Sequence, residues 1–461
     1  MPKLDPSTTE FRAAGHRLVD WIADYLENID DYNVLSAVKP GDIEKQFPAA
    51  PSSKGRSYDE LITDFESKIV PGITHWNHPA FFAYFSITGS QAGILAELLT
   101  AGLNANGMLW KTSPSLTELE TVVLGWLRNG LGLPDNLFGI INDTASINSF
   151  LALAAAREAL GLNICGEGMT GRALPPLRVY CSEHAHSSIE KAAMALGFGA
   201  NGVVKIPGDD AYRMRVDALE EAIARDKKAG ALLCAISATA GTTSTASVDP
   251  VRRIGEIAQR EKMWLHVDAA YAGSATIEPS FRWLWDGIEY ADSIVVNPHK
   301  WLFTPIDCSV LYTKHPNILR QTFSLVPEYL KTTDTAEVNY MDYGLQLGRR
   351  FRALKLWMVM EHYGIDRIRA VIRDQVGFAQ RLAAELMKRD EVELLAPQSF
   401  SVVVFRKKGS DEENAALLER INASGNLFVS HTKLKGKYGI RVAIGNGATE
   451  WRHVAQILEF L

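Results

Sequence analysis

The sequence predicts an α/β protein built on a mostly parallel sheet, with a helical segment before it and a small α+β unit after it. Three observations carry that reading. From about residue 120, short β-branched runs ("LRVYCS", "GVVKIPG", "ALLCAISATA", "WLHVDAAYAG" and "SIVVNPHK") alternate with stretches of helical periodicity, the rhythm of strand–helix–strand units. Before them, Phe11, Leu18, Val19, Ile22 and Leu26 recur at roughly helical spacing along one side, and "AAPSSKGRSY" at 49–58 has the Pro, Ser and Gly of a linker. After about residue 351 the order becomes a long helix ("KLWMVMEHYG", then "RIRAVIRDQVGFAQRLAAELMKR"), the strand "SFSVVVFRKKG", a helix, the strand "GIRVAIG" and a final helix. The expected division is 1–80 as the N-terminal helical segment, 81–350 as the large α/β domain and 351–461 as the small domain, because 461 residues exceed what one hydrophobic core serves.

Local signals justify the elements in turn. Thr144, Ala145 and Ser146 open a long alanine-rich helix whose free N–H groups and dipole suit a phosphate, although plain N-capping explains them equally well. The strand "LRVYC" delivers His184 and His186 just before a helix that Ser187 or Ser188 is placed to cap. Asp217 is placed to cap the next helix, with Leu219, Ala222 and Ile223 as its buried stripe and Gly230 closing it. "SATAGTTSTASVD" runs a strand into the hydroxyls of Thr242 and Thr243, which suit either a phosphate rim or a turn. "GEGMTG" at 166–171 matches G-x-G-x-x-G, yet it follows a helix and precedes Arg172 and two prolines, so the dinucleotide reading fails on context and a loop is expected.

Composition excludes several classes of function. With 47% hydrophobic and 22% charged residues the chain reads as an ordinary globular protein, and 48 basic against 54 acidic residues give no electrostatic reason to bind nucleic acid or an anionic membrane. Asp5, Glu10 and Asp20 interrupt the start, so no signal peptide is expected, and no stretch reaches transmembrane length. A cytoplasmic location is expected. Cys165, Cys181, Cys234 and Cys308 are too scattered for metal-ligand spacing, and free thiols with no metal are expected.

The chemistry concentrates at strand ends. "SIVV" runs directly into Asn297, Pro298, His299 and Lys300. A lysine is ordinarily a solvated cation, but one partly desolvated at the end of a core strand becomes a nucleophilic amine able to form a Schiff base. One crossover upstream, "WLHVDAAYAG" ends a second apolar strand in Asp268, and in open α/β sheets ligands bind outside the carboxyl ends of the strands. A plain ion pair between Asp268 and Lys300 is the competing reading. An amine, a carboxylate, an aromatic plate and two hydroxyl-rich turns are together the groups needed to hold pyridoxal phosphate.

The stretches "NPHKW", "HVDAAYAG", "HAHSS", "THWNHPAFFAYF", "LTELETVVLGWL" and "LGRRFRALKLW" span nearly the whole chain and resemble the aromatic L-amino-acid decarboxylases, group II pyridoxal-phosphate decarboxylases of fold type I, the aspartate aminotransferase-like fold. The resemblance implies that Lys300 attaches the cofactor, Asp268 pairs with its pyridinium nitrogen and His186 stacks on its ring, with Thr144, Ala145, Thr243, Ala270, Asn297 and His299 around it. It implies that Tyr329, in "EYLK", returns a proton to Cα, where aldehyde-forming members carry phenylalanine. Trp76, Tyr84, Phe85, Met108 and Gly348 match substrate-side positions. A homodimer with active sites at the interface and the N-terminal segment packed on the partner is implied as well.

The implied reaction converts an aromatic L-amino acid to its amine and CO2. Gly348 favours tryptophan, because phenol-preferring plant members tend to carry serine there, whereas Ser86, Ile87 and Met108 depart from the animal pattern. An aldehyde synthase shares nearly every motif. An aminotransferase would need an arginine clamp, with Arg349 and Arg441 the candidates, and a non-enzymatic scaffold would have no use for Lys300 in a closed pocket. Residues 326–344 are polar and without clear periodicity, which reads as a mobile loop.

Overall fold

The computed structural model describes residues 4, 7–325 and 337–461. Its main sheet has seven strands: β1 (Phe138–Asn142), β2 (Leu177–Ser182), β3 (Val203–Ile206), β4 (Leu232–Thr239), β5 (Trp264–Asp268), β6 (Ser293–Val296) and β7 (Ser309–Thr313), in the order β1-β7-β6-β5-β4-β2-β3. From β6 to β3 the neighbours are parallel, and β7 and β1 close one edge antiparallel. Every residue of β5, β6 and β7 is buried, which is why these strands read as continuous apolar runs.

The two faces of the sheet carry different partners. Ala235 of β4 and Trp264 of β5 pack with the alanine-rich helix Ala145–Glu158, while Ile236, Ala238, Leu265 and Val267 face the opposite core. Small alanine side chains bring that helix close to the sheet, so its first turn lies over the strand ends. The helix Val216–Lys228 buries Leu219, Ala222 and Ile223 as expected, but Arg215 occupies its N-cap position and Asp217 sits in the first turn, paired with Arg215. An acidic residue there is stabilised by the free N–H groups without capping them.

A second, antiparallel sheet of β8 (Val392–Leu394), β9 (Val402–Lys407), β10 (Ser430–Leu434) and β11 (Lys437–Ala443) runs in the order β10-β11-β9-β8. The helix Arg352–Met387, bent at Gly364 with φ 68°, joins it to the main sheet. Ala80, Phe81, Phe82 and Ala83 are fully buried in the core of this small sheet. Phe82 N–H donates to Phe428 O at 2.8 Å and Ala443 N–H donates to Phe82 O at 2.9 Å, so an upstream segment is stitched into the downstream unit.

The expected N-terminal helix spans Thr8–Glu27 and is capped by Ser7, whose hydroxyl accepts from Glu10 N–H at 3.2 Å. Phe11, Leu18 and Val19 stay exposed on it. Of the loop expected over 326–344, residues 326–336 lie outside the described residues, and Tyr340–Tyr343 forms a 3₁₀ turn with Tyr340, Met341 and Asp342 buried. No helix among the described residues is long and apolar enough to cross a membrane.

Candidate active site

The ends of β4, β5 and β6 and the start of the Ala145–Glu158 helix enclose a cavity of about 190 Å³ lined by Thr144, Ala145, Thr243, Asp268, Asn297 and Lys300 together with Phe85, His186, Ala270, Tyr271 and His299. All nine residues expected around the cofactor are therefore brought together. Tyr329 lies outside the described residues.

Each group is held by a local reason. Asp268 is the last residue of β5, and its Oδ1 accepts from Ala270 N–H at 3.1 Å, which aims the carboxylate past the strand end. Two residues earlier on the same face, His266 is completely buried and burial pushes it down to about 4, so it is neutral beneath the carboxylate. Trp264 Nε1 donates to Ser293 Oγ at 2.8 Å, which leaves the Ser293 proton for His266 Nδ1 at 2.9 Å.

Lys300 stands two residues into a short helix, Pro298–Trp301, that follows β6. Its Nζ lies 5.2 Å from the centroid of the Phe85 ring, and only the cavity gives it solvent. Burial, and then the charge of Arg441, push its amine below the ordinary lysine range, against an opposing pull from Asp268. No ion pair joins Asp268 and Lys300 among the described residues, so the plain ion-pair reading does not describe this pair.

The histidines present defined tautomers. Ser188 N–H donates to His186 Nδ1 at 3.2 Å, so His186 itself, rather than a serine hydroxyl, supports the start of the helix Ser188–Ala195. Nδ1 is thereby an acceptor and the neutral ring carries its proton on Nε2. Partial burial lowers the His186 pKa and favours that neutral form. His299 repeats the pattern, with Nδ1 accepting from Cys308 N–H at 2.9 Å and burial lowering it to about 3.

At the opposite end, Thr144 caps the Ala145–Glu158 helix by accepting from Ile147 N–H at 3.4 Å. The N–H groups of the first turn lack intrahelical partners and face the cavity, an arrangement suited to an anion. Thr242 is buried in a hydroxyl cluster with Thr245 and Ser247, at 2.9 Å from each, which fixes the turn that offers Thr243 to the cavity.

The substrate-side residues are less assembled. Phe85 lines the cavity and stacks on Tyr271 at 3.8 Å, and Tyr271 stacks on Trp301 at 4.7 Å, so a column of three rings backs Lys300. Trp76 stacks on Phe81 at 4.3 Å and on Tyr84 at 5.9 Å, away from the lining. Tyr84 is held at φ 53°, a region uncommon for residues other than glycine, by the Arg441 guanidinium on its carbonyl. Met108 packs with Leu109 and Met341, and Gly348 is exposed, where an added Cβ would meet only Asn106 at 3.8 Å.

The structure also separates the two candidate arginines. Arg349 is tied behind β1, donating to Glu120 at 2.7 Å and to Ile141 O at 2.8 Å, with both charged partners buried. Arg441 lies 4.5 Å from the Phe85 ring, burial lowers it to about 10, and its Nη2 has no hydrogen-bond partner among the described residues. The strand "GIRVAIG" marks Arg441 as a lone charge in an apolar run, which is the one signal of it in the sequence. No cluster of metal-ligating side chains occurs among the described residues, and the four cysteines are free.

These residues fit pyridoxal phosphate: a desolvated amine, a carboxylate at the far strand end, donors at a helix start, and a buried Thr239 hydroxyl with no protein partner at the cavity wall. The comparisons point to the same cofactor. Residues 40–408 match the pyridoxal-dependent decarboxylase conserved domain. The chain is 40% identical to phenylacetaldehyde synthase of Arabidopsis thaliana, over 98% of this chain and 95% of that one. It is 39% identical to aromatic-L-amino-acid decarboxylase of Sus scrofa, over 97% and 94%. Its fold is similar to that of Oryza sativa TDC with PLP and tryptamine, with a TM-score of 0.95 at 36% identity, covering 99% of this chain and 98% of that one.

The fold and cavity are those of a fold type I, pyridoxal-phosphate-dependent enzyme. Within that class the chain belongs to the group II decarboxylases, in the aromatic L-amino-acid decarboxylase family.

Proposed function

We propose that this chain releases CO2 from an aromatic L-amino acid to give the amine, with tryptophan ahead of tyrosine, phenylalanine and DOPA. The observation that carries the reading is the Phe85–Tyr271–Trp301 column beside Lys300, a flat apolar wall next to the reactive amine. When bound, pyridoxal phosphate supplies the sink for the electron pair left on Cα as CO2 departs. Asp268 would hold the ring nitrogen of the bound group protonated, and neutral His266 behind it adds no competing charge. Lys300 supplies a nucleophilic amine, and its lowered pKa enlarges the neutral fraction. His186 presents an N–H to the cavity from Nε2. Arg441 rests on the Phe85 ring and donates to the Tyr84 carbonyl, which holds this apolar wall in place rather than clamping a carboxylate.

A homodimer completes the substrate side. Within one chain nothing requires glycine at 348, since its φ is ordinary and the space beside it is open, and both Gly348 and Met108 are away from the cavity that Phe85 lines. Leu95, Leu98, Leu99 and Leu103 on the helix Gln91–Leu103, and Leu345 and Leu347 beside Gly348, form exposed apolar surface of the kind a second copy covers. The four unpaired thiols suit a cytoplasmic location.

The aldehyde-forming reading has support in the phenylacetaldehyde synthase relative. A phenol at position 329 favours the amine, because a proton delivered to Cα ends the reaction before oxygen enters. The test is incubation with each aromatic amino acid under measured oxygen, quantifying CO2, amine, aldehyde and ammonia. Wild type is expected to yield amine with no oxygen uptake, and Tyr329→Phe to keep CO2 release while shifting product to aldehyde, ammonia and peroxide. Amine at the wild-type rate from the variant would move the proton-donor role to His186.

A further inference from the structure

Below the cavity, four polar side chains stand in single file. Asn142, the last residue of β1, donates from Nδ2 to Asn148 Oδ1 at 2.7 Å, and Asn148 donates from Nδ2 to Ser309 Oγ at 2.7 Å. Ser309 in turn donates to Asn297 Oδ1 at 2.5 Å. All four are buried, Asn148 and Ser309 at 0% exposure, and Asn297 alone of the four lines the cavity. The file joins β1, the first turn of the Ala145–Glu158 helix, β7 and the segment leading to Lys300.

Its direction is set by the amides of Asn142 and Asn148, each of which donates from Nδ2 along the file toward Asn297. A carboxamide has one accepting and one donating end, and a hydroxyl gives away a single proton. Asn148 spends a donor on Ser309, so the Ser309 proton goes to Asn297 Oδ1. With Asn142 and Asn148 held as they are, turning the Asn297 amide over would set that proton against an NH2 group. The file therefore points the donating end of Asn297 away from Ser309. Asn297 Nδ2 has no protein partner among the described residues, and it is left for the cavity.

We propose that Asn142, Asn148 and Ser309 are positioning residues that lock the Asn297 carboxamide with its N–H donors toward the phosphate of the bound cofactor. The same file holds that donor in fixed relation to the first-turn N–H groups of the Ala145–Glu158 helix, because Asn148 sits in that turn. Two anion-binding devices from distant parts of the sequence thus act as one. The inference rests on the pyridoxal phosphate reading of the cavity.

The test titrates cofactor-free Ser309→Ala, Ser309→Thr and Asn148→Leu proteins with pyridoxal phosphate and, separately, with pyridoxal, which has the same ring and aldehyde but no phosphate. Binding is followed by the absorbance of the Lys300 adduct, and folding by circular dichroism and thermal unfolding of each free protein. Loss of one charge-assisted donor predicts an affinity for pyridoxal phosphate about tenfold weaker in Ser309→Ala and Asn148→Leu. Affinity for pyridoxal is expected to be unchanged, and Ser309→Thr, which keeps the hydroxyl, to restore phosphate-dependent binding. Equal weakening for both ligands, or no weakening for either, overturns the relay. Ser309→Ala removes a single atom, so it carries the test even if Asn148→Leu does not fold. Wild-type protein that takes up neither ligand would overturn the cofactor reading itself, and the relay with it.

Discussion

The residues expected around the cofactor and those expected on the substrate side are placed in different ways. The first are drawn from residues 144–300, where Asp268, Asn297 and Lys300 end neighbouring strands or follow them directly and Asp268, Asn297, His186 and His299 are each fixed by a nearby hydrogen bond. The second come from scattered segments. Phe85 arrives on a stretch stitched to the small sheet, while Met108 packs partly buried with Leu109 and Met341 and Gly348 is exposed, both outside the cavity lining. Groups proposed to keep a fixed relation to one another sit on rigid elements of a single core, and those proposed to meet the substrate side chain sit on separate segments.

The sharpest way to break this comparison is Lys300→Met. Turnover is expected to vanish while the cofactor-free fold becomes more stable, because a desolvated amine is replaced by an apolar side chain of similar length. The pH dependence has a definite sign. The folded-state pKa of Lys300 lies below its usual 10.5, so between the two values the unfolded chain holds the extra proton and wild-type stability rises with pH. Chemical unfolding across alkaline pH should show this rise in wild type and lose that part of it in the variant. Normal turnover by Lys300→Met would show that the reactive group lies elsewhere.

Glu120→Ala sharpens the comparison from behind the residues expected around the cofactor. It leaves the Arg349 guanidinium uncompensated in the core, at a cost of about 3 to 5 kcal/mol in denaturant unfolding. The ranking of substrates by kcat/KM should stay as in wild type, since Arg349 serves β1 and not the cavity. A changed ranking at unchanged stability would make Arg349 a substrate group.

Gly348→Ser is expected to have the smallest effect and the most selective one. The serine fits its own chain with ordinary contact at Asn106, so thermal stability should not move. Preference should shift from tryptophan toward tyrosine by about 1 to 3 kcal/mol in relative kcat/KM, the range of one altered contact in an apolar pocket. An unchanged ratio in a protein shown by sedimentation to be dimeric would remove Gly348 from the substrate side.

How much of this was legible in the sequence varies with distance along the chain. "SIVVNPHKW" and "HVDAAYAG" expose their role because an apolar strand and the charged residue at its end are contiguous, and the alanine-rich helix announces its buried face in the same local way. Asp217 misled as a cap because a boundary residue depends on the backbone angles of its neighbours, which type alone does not reveal. His186 was visible as a residue beside a strand end, but its tautomer was not, since the Ser188 N–H that sets it is placed by the turn.

The linear order of residues thus determined the fold class, the parallel strand ends and the identities of Asp268 and Lys300, because period, burial and strand termini are properties of short stretches. Tertiary structure alone decided that Ala80–Ala83 join a sheet formed more than three hundred residues later, that Arg441 rather than Arg349 reaches Phe85, and that Asn142, Asn148 and Ser309 point one amide of Asn297. Each of these depends on the direction of a side chain across a contact between distant segments. Local pattern carries no information about that direction, and close packing leaves it only one solution.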